Sequence, residues 1–440
     1  MLYIYAPQNS TRLQYIAYVL FEQLLEVDFQ IITNKQTYLD HPSAKINYSN
    51  ESLLPREIQI PNSDLLRKND IVPLALSANK FMNLPILFSI PTPTATLPFD
   101  FFSMAFFLLS RYEEYLPFTA DAHGRFPAKI SVAARHQFLQ LPIIELWLEK
   151  LIAILKAQYP NLRFTSPTFR FLPTYDIDLA WAYRQRSWWR MLGSGLQNAV
   201  RRKWQLVKQQ QDVLWGRKVD PFATFAELDR LHQQFSLNPV YFFLLADYAK
   251  YDKNIKPTNS ALQLLIKTLH KQYQIGIHPS YQSNSSFKKL TLEVERLTQL
   301  IDQSVQHSRQ HFLKLHLPDT YQDLLRLDIT NDYSMGYADQ IGFRAGISRP
   351  YFWYDLRKEK MTSLLVHPFC MMDVTLQQYL QLTPAEAVTS ACVLIQQLQQ
   401  VGGTFSTIWH NSSFSPAHGW AGWQSAYQQI VVTATGQISK

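Results

Sequence analysis

The chain has 440 residues, 47% of them hydrophobic and 17% charged, with a formal net charge of +8. This suits a soluble globular protein with a large core and room for two domains, while the charge favours acidic partners. Two cysteines, Cys370 and Cys392, without C-x-x-C spacing exclude a disulfide framework and a cysteine zinc knot.

Residues 1–8 lack a basic stretch followed by a long apolar run, so no signal peptide is expected. The strongly apolar run at residues 101–109 falls short of the roughly 18–20 residues a membrane helix needs. A cytoplasmic protein is expected, able to sit peripherally at a membrane. Up to residue 165, short apolar runs (2–5, 29–32) mix with helical patterns (13–25, 143–157), and Pro91, Pro93 and Pro98 interrupt the middle. This predicts a smaller α/β domain over residues 1–165. Its Y-E-E-Y at residues 112–115 reads as a sugar-binding edge or a solvated helix end.

A second domain is expected over residues 166–440. It opens with T-Y-D-I-D at residues 174–178, just after an apolar run at 169–172. In a strand, residues i and i+2 share a side, so Asp176 and Asp178 converge, a pairing suited to one metal ligand beside one general base. Between residues 184 and 218, nine basic residues face a single acid, Asp212, and Trp188, Trp189, Trp204 and Trp215 interleave with them. This basic aromatic helical insertion reads as a surface for a membrane or an anionic glycan, or as an arm packing its tryptophans on its own domain. No nucleic-acid motif is present.

Beyond it, Asp220 and Pro221 predict an N-cap and first turn ahead of helical spacing at Phe222, Phe225, Leu228, Leu231 and Phe235. Strands are expected at residues 240–245, 274–277, 305–310, 363–366 and 404–409, with helices at 262–273, 290–301, 320–327, 374–380 and 385–400. Such alternation implies a parallel sheet of barrel type, whose strand C-termini share one face. His278, His311 and His410 each follow one of these strands, and so reach the face of Asp176 and Asp178. Histidine and carboxylate suit a divalent ion such as zinc.

At these residues the chain resembles the polysaccharide deacetylase family, carbohydrate esterases with a NodB-homology fold, over about residues 169–427. The resemblance implies a distorted (β/α) barrel of that type, preceded by the smaller α/β domain. T-Y-D-I-D is similar to the family's first motif, implying Asp176 as catalytic base and Asp178 as metal ligand. G-I-H-P-S-Y at 276–281 is similar to the second, implying His278 as a ligand. S-R-Q-H-F at 308–312 stands where an arginine that orients the base belongs, here Arg309. I-W-H-N at 408–411 resembles the last motif and implies His410 as the acid that protonates the leaving group.

The family's second motif carries another histidine four residues on, where this chain has Gln282, a poor zinc ligand. His311 is the substitute expected, ahead of Asn284. Arg344, in G-F-R-A-G, reads as a substrate contact or a structural ion pair, and Asp373 as a carboxylate orienting His410 or a helix cap. Tyr281, Trp409, Trp420 and Trp423 are candidates for stacking on sugar rings or core aromatics. The activity implied is metal-dependent removal of an acetyl group from an acetylated carbohydrate. A different amide hydrolase, or a glycan-binding protein that has lost catalysis, are the alternatives.

Overall fold

The computed structural model describes residues 1–93, 95–185, 200, 202 and 204–437. Most of the basic arm's first half, residues 186–199 with 201 and 203, lies outside the described residues.

Among the described residues, Leu2–Tyr5 (β1), Phe29–Ile32 (β2), Lys45–Tyr48 (β3) and Ile58–Ile60 (β4) form a parallel sheet in the order β2-β1-β3-β4. Leu2, Ile4 and Tyr5 are all buried, which is why β1 reads as an unbroken apolar run. Ser10 then caps the helix Thr11–Ala17, its Oγ accepting from the Leu13 N–H at 3.1 Å. Asn79–Phe81 (β5) and Leu84–Ile86 (β6) make a small antiparallel hairpin. The apolar run at 101–109 becomes the helix Phe101–Leu109, every residue of which is buried. No helix among the described residues is long and apolar enough to cross a membrane.

The second sheet contains Arg170–Ile177 (β7), Val240–Phe243 (β8), Gln274–Ile277 (β9), His307–Ser308 (β10), Asn331–Asp332 (β11), Tyr351–Asp355 (β12), Lys360–Val366 (β13), Met371–Met372 (β14) and Thr404–His410 (β15). Its order is β12-β13-β11-β10-β9-β8-β7-β15-β14. Neighbours are parallel except β12 with β13. The fold is thus mixed α/β, and no pairing among the described residues joins β12 to β14. Gly276 in β9 is required by packing: a Cβ there would meet the Phe242 ring at 2.5 Å and the His307 carbonyl at 2.8 Å.

The two sheets share one apolar core. Polar ties reinforce the join: Arg12 grips Glu359 through two bonds of 2.6 and 3.0 Å, and Tyr15 Oη donates to the Phe352 carbonyl at 2.8 Å.

Several elements differ from expectation. The helix expected from Pro221 begins at Phe225, because the Asp220 carboxylate accepts the backbone N–H groups of Ala182, Tyr183, Arg184 and Phe222 at 2.7–3.0 Å. It pins the base of the basic arm instead of capping that helix. The strand expected at 305–310 shrinks to the two residues of β10, and β12, unread in the sequence, pairs antiparallel with β13. Residues 112–115 are neither a sugar-binding edge nor a solvated end. Glu113 and Glu114 are buried, and Arg111 binds both, at 2.9 and 2.8 Å.

Candidate metal centre and active site

Strand register assembles the site before any side chain is considered. His410 of β15 lies directly opposite Asp176 of β7. Phe243 pairs with Ile277, and Ile277 with Ser308, so His278 and Arg309 leave their strands at the same level. The parallel strands therefore deliver these residues to one edge of the sheet.

Asp176 is 3% exposed, and its Oδ1 accepts from Arg309 Nη1 at 2.8 Å. The Arg309 guanidinium lies 4.4 Å from the centre of the Phe242 ring, and its second terminal nitrogen has no hydrogen-bond partner. Two residues on, Asp178 faces three imidazoles. Its Oδ1 is 3.3 Å from His278 Nε2, and its Oδ2 is 3.6 Å from His311 Nε2 and 3.9 Å from His410 Nε2.

Each ring is oriented through its other nitrogen. His278 Nδ1 donates to the Arg309 carbonyl at 2.6 Å, and His311 Nδ1 pairs with Asp252 Oδ1 at 2.9 Å. His410 Nδ1 pairs with Asp373 Oδ1 at 2.9 Å. Asp373 also accepts from the His410 backbone at 2.7 Å, from the Val374 N–H at 2.6 Å and from the Ser413 hydroxyl. It thus holds the histidine through both its ring and its backbone.

One ligand atom each from Asp178, His278 and His311 lies within 4.8 Å of the others. A metal ion fits this set. Both Nε2 atoms are turned to Asp178 while Nδ1 is tied elsewhere, as metal-binding imidazoles usually are. Asp178 Oδ1 is buried without a hydrogen-bond donor, an expensive state that a cation relieves.

Electrostatics follow the geometry. Burial raises an isolated carboxyl, but His311, His278 and His410 outweigh it and hold Asp178 well below the usual carboxylate range. Burial disfavours a charged His311, yet Asp178 and Asp252 push its pKa up to about 9. His410 follows the same pattern: Asp373, Asp178 and Asp176 overcome burial and raise it to about 10.

A cavity of about 320 Å³ opens over the cluster, lined by Asp176, Asp178, His278, His311 and His410. Arg125, Phe312, Leu313, Gln378 and Tyr379 also line it. Phe312 and Leu313 have φ of 59° and 52°, two consecutive bulky residues in the left-handed region beside a cluster of ionisable groups.

Other candidates sit elsewhere. Gln282 is exposed and accepts from Lys289, while Asn284 donates to the Lys314 carbonyl and Thr320 Oγ1, so neither approaches Asp178. Trp409 is fully buried against Phe414, Trp423 and Tyr427, because alternation along β15 turns it away from the side of His410. Trp420 and Trp423 are likewise buried. Tyr281 packs against Tyr251 with ring centres 4.4 Å apart and does not line the cavity. Arg344 is 2% exposed and gripped by Glu114 at 2.6 and 2.9 Å, away from the cavity.

Two residues escaped the sequence reading: Asp252, which holds His311 Nδ1, and Arg125, which lines the cavity. Asp252 follows β8, the one central strand to which no polar partner was assigned, and that vacancy was the available signal. Arg125 comes from the first region and carried none.

Residues 2–160 match the model of a family of unknown function, DUF7033. No curated protein matches the chain. Among solved structures, the chain is similar to a protein from Mycobacterium smegmatis assigned as a polysaccharide deacetylase. Identity is 13%, coverage is 62% of this chain and 86% of that one, and the TM-score is 0.40. It is also similar to Puue allantoinase, at 12% identity, 61% and 84% coverage and a TM-score of 0.38. A third is the polysaccharide deacetylase Bc1974 from Bacillus cereus, at 9% identity, 60% and 87% coverage and a TM-score of 0.28. At these TM-scores the likenesses assign no reaction and no residue role.

Proposed function

We propose that this protein is a metal-dependent hydrolase of the polysaccharide deacetylase type, built on a distorted (β/α) barrel, that removes an acetyl group from a sugar unit. The observation that carries the reading is one cavity combining an Asp–His–His set, a carboxylate gripped by arginine and a carboxylate-held histidine. Asp178, His278 and His311 hold a divalent ion, with zinc the best match to one carboxylate and two imidazoles. When bound, that ion supplies Lewis acidity towards the acyl carbonyl and the attacking water.

Arg309 occupies Asp176 Oδ1 and leaves the other oxygen to take a proton from the attacking water. A C–O bond forms at the acyl carbon as the C–N bond to the sugar breaks. His410, whose charged form the Asp373 carboxylate at Nδ1 favours, donates its proton to the departing amine. Asp373 keeps His410 Nδ1 engaged, so Nε2 is the atom that donates. On an ester the same steps release an alcohol.

The test is metal content of the purified protein, with acetate release from N-acetylated sugars by wild type and Asp176→Asn. Stoichiometric metal with acetate release abolished in the variant is expected. Release of a different acid, or equal release by both proteins, overturns the reading.

A further inference from the structure

Arg125 belongs to the first 165 residues yet lines the cavity formed at the edge of the second sheet. It ends a tight turn in which the Gly124 N–H bonds the Asp121 carbonyl at 2.9 Å and Gly124 has φ of 78°. Asp121 Oδ1 accepts the backbone N–H groups of His123 and Arg125 at 2.8 and 2.9 Å, and Oδ2 accepts Arg125 Nε at 2.7 Å. The carboxylate thus serves its own turn and the stem side of the guanidinium.

The far end of that guanidinium spans the cavity wall. Nη1 donates to the Phe312 carbonyl at 2.8 Å, and Nη2 reaches Tyr379 Oη at 3.3 Å. Of the five N–H donors of an arginine, three are engaged, leaving one on each terminal nitrogen. The residue is 8% exposed, so the fork is held in place from three sides. A held fork with a spare donor on each terminal nitrogen can offer both to the oxygens of one oxyanion.

We propose that Arg125 is a substrate-binding residue for an oxyanion, a carboxylate or a phosphate, carried by the sugar whose acyl group faces Asp176 and His410. The inference rests on the proposed hydrolase reading for the identity of the sugar. It gives the first region a role in the site: that region supplies the wall that recognises charge, while the strand ends supply the chemistry.

The test is binding, which does not depend on turnover. Asp176→Asn protein is titrated with N-acetylglucosamine, with N-acetylmuramic acid and with N-acetylglucosamine 1-phosphate. At least one anionic sugar is expected to bind about tenfold or more tightly than the neutral one, the preferred anion identifying carboxylate or phosphate. Adding Arg125→Gln is expected to reduce that preference to within about twofold. Arg125→Lys, which keeps the charge and loses the fork, is expected to retain part of it and provides the readout if the glutamine variant does not fold. Equal affinity for neutral and anionic sugars, or a preference surviving both substitutions, overturns the proposal. Wild type that binds the anionic sugar through Arg125 but releases no acetate overturns only the hydrolase reading.

Discussion

Two buried clusters of charged side chains differ in how far their members satisfy one another. In the first, Arg111, Glu113, Glu114 and Arg344 saturate one another. Glu114 accepts from both arginines, and Arg111 also reaches Tyr337 and the Arg344 carbonyl. In the second, Asp178 Oδ1, Asp252 Oδ2 and Arg309 Nη2 are buried with no hydrogen-bond partner. A saturated cluster has already spent its electrostatic capacity on holding the fold. An unsaturated one at a cavity retains it for something that arrives.

The largest expected effect falls on the unsaturated side. Asp176→Asn lowers kcat by ~10²–10⁴-fold, the usual contribution of a general base, with little change in the melting temperature. A variant losing stability and activity together would place Asp176 with the saturated cluster. The converse change is Arg344→Ala, which takes from buried Glu114 one of its two arginine partners and costs about 3 kcal/mol of stability. Denaturant unfolding should report that loss while activity per folded molecule is unchanged, and a selective loss of activity would erase the distinction.

Asp373→Asn sharpens the comparison, because Asp373 is fully buried and well bonded yet contacts the cavity-lining His410. Activity should fall about tenfold to a hundredfold. Its carboxylate is the leading cause raising the His410 pKa, so the variant should lose activity at lower pH on the alkaline side than wild type does. A pH–rate profile with an unmoved alkaline limb would make Asp373 purely structural. His311 gives a smaller, graded signal. Its ring must lose its proton to ligate, and its pKa is pushed up to about 9, so metal affinity should climb as pH rises towards that value. Competition with a chelator should show roughly a tenfold gain per pH unit while that single proton is displaced. Affinity independent of pH would remove His311 from the ligand set. The smallest effect belongs to Trp204 and Trp215, which are 63% and 65% exposed. Changing either to Ala should move stability by no more than ~0.5 kcal/mol, whereas Trp409→Ala in the core costs about 3–5 kcal/mol.

What was legible in the sequence was local. The i, i+2 spacing of Asp176 and Asp178, and the placement of His278 and His410 at the ends of apolar runs, follow from strand periodicity alone. His311 was harder, because its strand is two residues long and the residue is carried by a loop whose next two residues have positive φ. Burial of the YEEY segment was illegible, since Glu114 reads as a surface residue until Arg344, 230 positions away, is seen to neutralise it.

Residue order by itself determined the alternation of strand and helix, and with it which residues stand at strand C-termini, because those depend on side-chain periods of 2.0 and 3.6. Tertiary structure alone decided which of those residues face one cavity and which charges find partners. Asp252 completing His311, Arg344 withdrawing to Glu114 and Arg125 entering from the first region all depend on contacts between distant segments. Their energies are set by burial and neighbouring charge, neither of which exists until the chain has folded.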